Sequence, residues 1–569
     1  MPPAVSAITS RLSGADGLTR QRALSAGLVA APHLAALAIM ILTEGDAISK
    51  VAFALTWGVF NAVLIALLRR PAVAGAVSLA MITLLILLSQ LKHSALFMTV
   101  NFVDLMIIDT DTIGFLMTVY PGLGRDVAIG CLIALVILIA IWWFDTGRVR
   151  LRTALAAAAV CLAGLATLET MMPSDPEAEF YSGQYVSKFA RSAITAIGDY
   201  VSRGLFESDA RLEEQLRPAA SASCTPARRP PHIVMVFDES SFDISKAPGV
   251  KAPPDYHAHF RSFDGKSRAF VVEGAGGPSW FTEYNVLTGL SVRSYGRFAD
   301  FVTRIAAGRV ERGLPFALRR CGYKTYSFYS FLGAFLSAQR FQESAGIENF
   351  YDAKTMGANG VEPDSFFYDA AAKVVAENRN KQPLFLFVYT IANHFPWNYR
   401  FRPDLMPDWQ PADHNPEVDE YQRRQAMSAH DYSAFVERLG KEFPDESFLI
   451  VRFGDHLPGL AMTMMEPTRD PAAIAQHVKQ RDPRYFTTYY AIDAVNFRPA
   501  DMANALPRLD APYLPVVVLE AAGLPLDASF SEQKRILERC HGQFYQCGSG
   551  AEARRFNQLL INAGLIKGL

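Results

Sequence analysis

The chain has 569 residues, half of them hydrophobic, with 55 basic and 56 acidic side chains. That length exceeds one ordinary domain, and a net charge of −1 gives no overall basic surface for nucleic acid. A positive mean hydropathy is high for a soluble enzyme and directs attention to membrane spans.

Five apolar stretches lie at 24–43, 50–68, 71–91, 127–144 and 151–171. Each supplies the roughly 20 residues that a helix needs to cross the hydrocarbon core. None shows the polar face at helical spacing that a buried helix of a soluble bundle would carry. Arg11, Arg20 and Arg22 precede the first stretch, Arg69 and Arg70 follow the second, and Arg148, Arg150 and Arg152 separate the last two. Basic residues in short loops mark the cytoplasmic side, so the N-terminus is expected inside and everything after about residue 172 outside. The first stretch has no small-residue cleavage site and reads as an anchor.

The segment between the third and fourth spans is apolar but broken by acids, the pattern of a segment lying along the outer interface. Residues 187–206 form an amphipathic stretch that fits either the same surface or a simple connecting helix. From 216 to 231 the chain is Ala/Ser/Pro/Arg-rich and reads as a linker. The expected organisation is a transmembrane domain over 1–172, juxtamembrane helices and linker over 173–230, and an exported domain over 231–569.

Strand-like runs recur in that exported part at 232–237, 268–273, 323–329, 384–390, 448–453 and 489–495, with helical stretches at 301–320, 366–379 and 420–442. Short, nearly all-apolar strands alternating with helices predict an α/β domain with a mainly parallel sheet sandwiched by helices. Together with the spans, the fold class is an all-α five-helix transmembrane domain followed by this α/β domain.

Catalytic residues in such sheets gather at the C-terminal strand edge. The first strand runs into Asp238-Glu239, the 384–390 strand into Asn393-His394-Phe395-Pro396, and the 448–453 strand into Gly454-Asp455-His456. Between them comes Gly276-Gly277-Pro278-Ser279. A carboxylate, an Asp-His pair and a hydroxyl on neighbouring strand ends make a mixed oxygen/nitrogen site for a divalent metal. Such a cation would lower the pKa of the Ser279 hydroxyl and make it a nucleophile. Asp238 reads as a hydrogen-bonded neighbour, and His430-Asp431 as surface or packing residues.

In these motifs the exported part resembles the alkaline phosphatase/sulfatase superfamily over roughly 230–525, and within it the lipoteichoic acid synthase and phosphoglycerol transferase family. The most specific match is Phe453-Gly454-Asp455-His456-Leu457-Pro458, and Tyr513-Leu514-Pro515 through Gly523-Leu524-Pro525 resembles the family's closing segment. The resemblance implies one divalent ion, manganese with zinc or magnesium as alternatives, held by Glu239, Ser279, Asp455 and His456. It further implies Ser279 as nucleophile, and His394 and Arg340 as contacts to the phosphoryl substrate. Two departures stand out: Ser279 replaces the commoner threonine, and Ser337-Ala338-Gln339-Arg340 stands where the family carries Trp-Asn-Arg.

Cys224-Thr225-Pro226-Ala227-Arg228 also matches the pentad at which sulfatases convert cysteine to formylglycine. It lies before the first metal-binding strand, however, and lacks the Leu-Thr-Gly that should follow. Counted from Ser279, that triplet falls on Leu287-Thr288-Gly289, so Ser279 occupies the nucleophile position. Cys224, Cys321, Cys540 and Cys547 instead form an even set in an oxidising compartment, whereas Cys131 and Cys161 sit within spans. Three pairings are open; Cys540–Cys547 as a local loop and Cys224–Cys321 as a tie of the linker are favoured.

The expected activity is transfer of glycerol phosphate from the membrane lipid phosphatidylglycerol, through a phosphoglyceryl-Ser279 intermediate, to a glycan acceptor such as an osmoregulated periplasmic glucan. The expected setting is a bacterial inner membrane with the catalytic domain in the periplasm. The alternatives are phosphoethanolamine transfer to lipid A or a glycan, phosphodiester hydrolysis, and a non-catalytic scaffold.

Overall fold

The computed structural model describes residues 24–568 apart from 97, 109, 120–121, 175–181, 218–223, 225–228 and 380. Arg11, Arg20 and Arg22, which carry part of the topology argument, lie outside the described residues. The chain divides into two units, 1–203 and 204–569.

In the first unit five helices are long and apolar enough to cross a membrane. These are α1 (Leu24–Thr43), α2 (Ala47–Leu68), α3 (Pro71–Leu96), α6 (Leu123–Phe144) and α7 (Leu151–Met171). Between α3 and α6 lie the short α4 (Phe102–Met106) and α5 (Thr110–Val119), which leave Leu105, Met106, Ile108, Ile113 and Met117 exposed. This is the architecture of a multi-pass membrane protein with a water-soluble domain. Local chemistry sets the helix ends: Asp46 accepts from the Ser49 backbone N–H at 2.9 Å and caps α2. The cap of α3 comes from a distant loop, where Asp145 Oδ2 accepts from the Ala72 and Val73 backbone N–H groups at 2.8 and 3.1 Å.

The amphipathic stretch is α8 (Tyr185–Arg203). Val186 packs with Phe53 and Ile82, and Ala190 with Ala52 and Leu165. Ser187 donates to Glu44 at 2.6 Å, and Arg191 pairs with Glu169 at 2.7 Å. The start of α8 is therefore built into the helical unit, while Ile197, Tyr200 and Val201 near its end stay exposed.

The second unit is an eight-stranded sheet in the order β4-β3-β5-β1-β6-β7-β2-β8. Its strands are β1 (His232–Asp238), β2 (Arg268–Val271), β3 (Lys324–Tyr329), β4 (Asn349–Asp352), β5 (Leu384–Tyr389), β6 (Phe448–Gly454), β7 (Thr487–Val495) and β8 (Arg508–Asp510). All neighbours are parallel except the two pairings made by β7. Every residue of β1, β5 and β6 is buried, as expected for central strands covered on both faces. The six expected strands are present; β4 and β8 are additional short strands at the sheet's edges.

The expected helix over 301–320 is not continuous. A 3₁₀ segment ends at Phe301, a short helix runs over Val302–Ala306, and another begins only at Leu314. Gly308, at φ +73°, turns the chain between them in the left-handed region. Residues 204–217, expected within the 173–230 juxtamembrane and linker region, belong to the second unit. There the Glu207 backbone N–H donates to the Ser294 carbonyl at 2.7 Å, and Glu214 pairs with Arg555 at 2.7 Å.

Both favoured disulfides form, Cys224–Cys321 and Cys540–Cys547. They close loops with sequence separations of 97 and 7 residues. Because loop-closure entropy grows with loop length, replacing Cys224 and Cys321 by serine should cost about 2–4 kcal/mol in denaturant unfolding. The paired replacement of Cys540 and Cys547 should cost less.

Candidate metal centre and active site

Strands β1 and β6 lie side by side and parallel, with Asp238 opposite Gly454. The next residue of each strand, Glu239 and Asp455, therefore emerges at the same C-terminal edge. Ser240, at φ +54°, turns back and donates its backbone N–H to Asp455 Oδ1 at 2.8 Å. Gly454 has no room for a side chain, since a Cβ there would sit 2.1 Å from the Ser241 carbonyl oxygen. Gly454→Ala should push the two strand ends apart, lower the denaturation midpoint by an overpacking cost of about 1–3 kcal/mol, and weaken metal binding. Isothermal titration with Mn²⁺ alongside thermal unfolding checks this.

His456 completes the cluster. Its Nδ1 faces the Leu457 carbonyl at 3.0 Å, which turns Nε2 toward the carboxylates. Nε2 lies 3.6 Å from Glu239 Oε1 and 3.4 Å from Asp455 Oδ2. One ligand atom from each of the three residues lies within 4.8 Å of the others, and all three residues are buried. Glu239 is steadied by Ser240 Oγ at 2.9 Å and by the Tyr389 hydroxyl at 3.0 Å. Asp455 Oδ2 is buried without a hydrogen-bond partner. Two buried carboxylates, one imidazole and an orphaned oxygen converging on one point are a donor set that fits a divalent cation.

The protonation pattern of the metal-free cluster has the same origin. Burial opposes ionisation of Glu239, but the hydrogen bond and charge of His456 prevail and hold it down at about 2. Burial and the adjacent Glu239 charge push Asp455 up to about 8. Burial disfavours the imidazolium of His456, yet Asp455 and Glu239 outweigh it and hold the ring up at about 9. The cluster thus favours retaining protons that a bound cation would have to displace.

Ser279 is the first residue of α9 (Ser279–Thr288). One turn on, Thr282 Oγ1 donates to the Asp455 carbonyl at 2.7 Å and ties α9 to the cluster. The Ser279 hydroxyl donates to the Gly277 carbonyl at 3.4 Å, and a hydrogen bond from it also acts to lower the Asp455 carboxyl. His394 is half-buried in the loop after β5, its ring 5.5 Å from Phe331 and stacked at 4.3 Å on Phe395. Burial lowers its pKa, and the nearby Glu239 charge opposes that shift. Arg340 is exposed on the helix Ala338–Ser344 and is not among the groups that these contacts join.

One contributor, the partner of Glu239, was not visible in the sequence, whereas Asp238 and Asp431 take the supporting roles read for them. Tyr389, the partner of Glu239, ends a strand that pairs with β1 in the register Phe237↔Tyr389, so only the pairing reveals it. Asp238 accepts from His259 at 2.9 Å and from Tyr489, a buried support beneath the cluster. Asp431 accepts from the Ser365 backbone N–H at 2.9 Å, on α11 (Pro416–Glu442); the shorter Asp364–Asn378 helix packed against it is α10. Cys224 is spent in its disulfide, and residues 225–228 of the formylglycine-like pentad lie outside the described residues.

A mainly parallel sheet with a buried carboxylate/imidazole cluster and a helix-start hydroxyl at its C-terminal edge has the donor set to hold a divalent cation next to a hydroxyl. Residues 278–488 match the Sulfatase family model. That stretch of the second unit is similar to the Sulfatase family, and the first unit holds five helices long and apolar enough to cross a membrane. No match was found among curated proteins. Similar solved structures include the lipoteichoic acid synthase LtaP of Listeria monocytogenes, at 16% identity over 58% of this chain and 78% of that one, TM-score 0.41. Another is the Streptococcus pyogenes phosphoglycerol transferase GacH in complex with sn-glycerol-1-phosphate, at 14% identity over 60% and 87%, TM-score 0.47. A third is the integral membrane lipooligosaccharide phosphoethanolamine transferase A of Neisseria meningitidis, at 15% identity over 84% and 96%, TM-score 0.42.

Proposed function

We propose that the protein transfers glycerol phosphate from phosphatidylglycerol to a glycan acceptor, with Ser279 as nucleophile. The observation that carries this reading is the convergence of Glu239, Asp455 and His456 at one sheet edge with the Ser279 hydroxyl beside Asp455. The resemblance of the Gly454-Asp455-His456-Leu457-Pro458 and Asn393-His394-Phe395-Pro396 segments to phosphoglycerol transferases supports the choice of head group.

Glu239, Asp455, His456 and Ser279 Oγ would hold the cation, manganese foremost, and its chemistry is to make the serine oxygen nucleophilic and to neutralise phosphoryl charge. Ser279 Oγ attacks phosphorus; the new O–P bond forms as the bond to the diacylglycerol oxygen breaks, and diacylglycerol leaves with the serine's proton. An acceptor hydroxyl oxygen then bonds to the same phosphorus, the Ser279 bond breaks, and the acceptor's proton returns to Ser279. His394 faces the reacting phosphoryl group, where a hydrogen-bond donor stabilises the charge that shifts during transfer. Arg340 is the second phosphate contact in this reading. The spans keep the domain at the surface of the bilayer that supplies the donor, on the periplasmic side of the inner membrane.

The test incubates purified protein with head-group-labelled phosphatidylglycerol or phosphatidylethanolamine and with a periplasmic glucan or lipid A. Label passing from phosphatidylglycerol to glucan supports the proposal. Label passing from phosphatidylethanolamine to lipid A replaces it with phosphoethanolamine transfer, and release of free glycerol phosphate alone replaces it with hydrolysis.

A further inference from the structure

The loop that carries His394 does not hold itself in place. Among the contacts of the His394 ring, one is to its own neighbour's carbonyl, Phe395 O at 2.8 Å, and the others are ring packing. The direction of the imidazole is set by the backbone, and α11 grips that backbone. Arg424 Nη1 donates to the His394 carbonyl at 2.8 Å, while Nη2 donates to the carbonyls of Pro396 at 2.9 Å and Tyr399 at 3.1 Å. Its Nε donates to Glu420 Oε1 at 2.8 Å, and its side chain is 1% exposed. Glu420 is fixed in turn by Arg400, Arg423 and the Phe401 backbone N–H, each at 3.0 Å.

The same stretch of α11 also holds the other side of the site. Gln425 Oε1 accepts from Asn393 Nδ2 and from Ser241 Oγ, both at 3.0 Å. The Tyr421 hydroxyl accepts from the Phe242 backbone N–H at 2.8 Å. One helix face therefore spans the loop after Glu239 and the loop of His394, and sets the distance between them. Burying a guanidinium is a costly way to stabilise a core, which apolar side chains of similar volume achieve as well. A planar fork that reaches three carbonyls from one point is instead suited to fixing a loop, and a lysine cannot reproduce it.

We infer that Arg424, braced by Glu420, is a positioning residue that holds His394 at the phosphoryl group. This rests on the proposed reaction. The experiment compares Arg424→Lys, Arg424→Gln, His394→Ala and Arg424→Lys/His394→Ala in the full-length protein. The readouts are kcat and KM on an aryl phosphodiester and on phosphatidylglycerol, manganese content and melting temperature. A 1 Å displacement of a catalytic group costs up to about 100-fold in rate, so Arg424→Lys should lower kcat by about 10- to 100-fold. Manganese content should be unchanged, and the double variant should be no slower than His394→Ala alone.

Wild-type kcat in both Arg424 variants, or effects that multiply in the double variant, would overturn the inference. So would loss of manganese in parallel with activity, since the residue would then support the domain as a whole. If His394→Ala has no effect while Ser279→Ala abolishes turnover, His394 has no part in the reaction and the inference falls with that assignment. If His394→Ala slows turnover and the Arg424 variants do not, the proposed reaction stands and only the inference is lost.

Discussion

Ser279→Ala is expected to lower diacylglycerol release from phosphatidylglycerol by about 1000-fold or more, equivalent to about 4 kcal/mol of transition-state stabilisation. The bound metal should be retained. The reason for the first effect is that the variant removes the only oxygen the scheme uses to displace diacylglycerol. The second follows because Glu239, Asp455 and His456 remain within 4.8 Å of one another whether or not a hydroxyl is present. Ser279→Thr restores an oxygen at the start of α9 and should recover most of the rate. Diacylglycerol release at the wild-type rate by Ser279→Ala would remove Ser279 from the chemistry.

The second large effect concerns the ligands. Asp455→Asn should weaken Mn²⁺ binding by at least about 100-fold, the upper end of what loss of an outer-sphere partner alone produces. Burial and Glu239 hold the Asp455 carboxyl up at about 8, so at neutral pH the metal-free protein already contains the neutral form that asparagine imitates. The variant should therefore melt close to the metal-free wild type while failing to gain stability from added metal. The sign of the pH dependence follows from the same groups. His456, held up at about 9, and Asp455 both carry protons that a cation must displace, so affinity rises with pH through that range and falls below it. Titration calorimetry in buffers of different ionisation enthalpy counts the released protons. Affinity independent of pH between about 6 and 9 would contradict this picture.

Much of this site could be read from sequence because central strands of a parallel sheet are written as short apolar runs, and polar residues just after them stand out. Glu239 follows HIVMVFD, and Asp455-His456 follows FLIVRFG. What was illegible depends on pairing and register. β4 and β8, with four and three residues, lack an apolar run long enough to signal a strand. The helical pattern over 301–320 is periodic enough to suggest one element, but Gly308 breaks it and extended Gly313 starts a new helix at Leu314. Tyr389 reaches Glu239 only through the β1–β5 alignment. Arg424 carries no signal in the sequence, because its three carbonyl partners lie 25 to 30 residues away.

The central claim is that a glycerophosphoryl group resides on Ser279 between donor and acceptor. The most direct measurement incubates the full-length, manganese-loaded protein with head-group-labelled phosphatidylglycerol and no acceptor, quenches in acid, and maps the label by peptide mass spectrometry. The account predicts a glycerophosphoryl adduct on Ser279 that disappears when acceptor glucan is added. An adduct on another residue, or glucan labelled at full rate with no protein-bound intermediate, would contradict it.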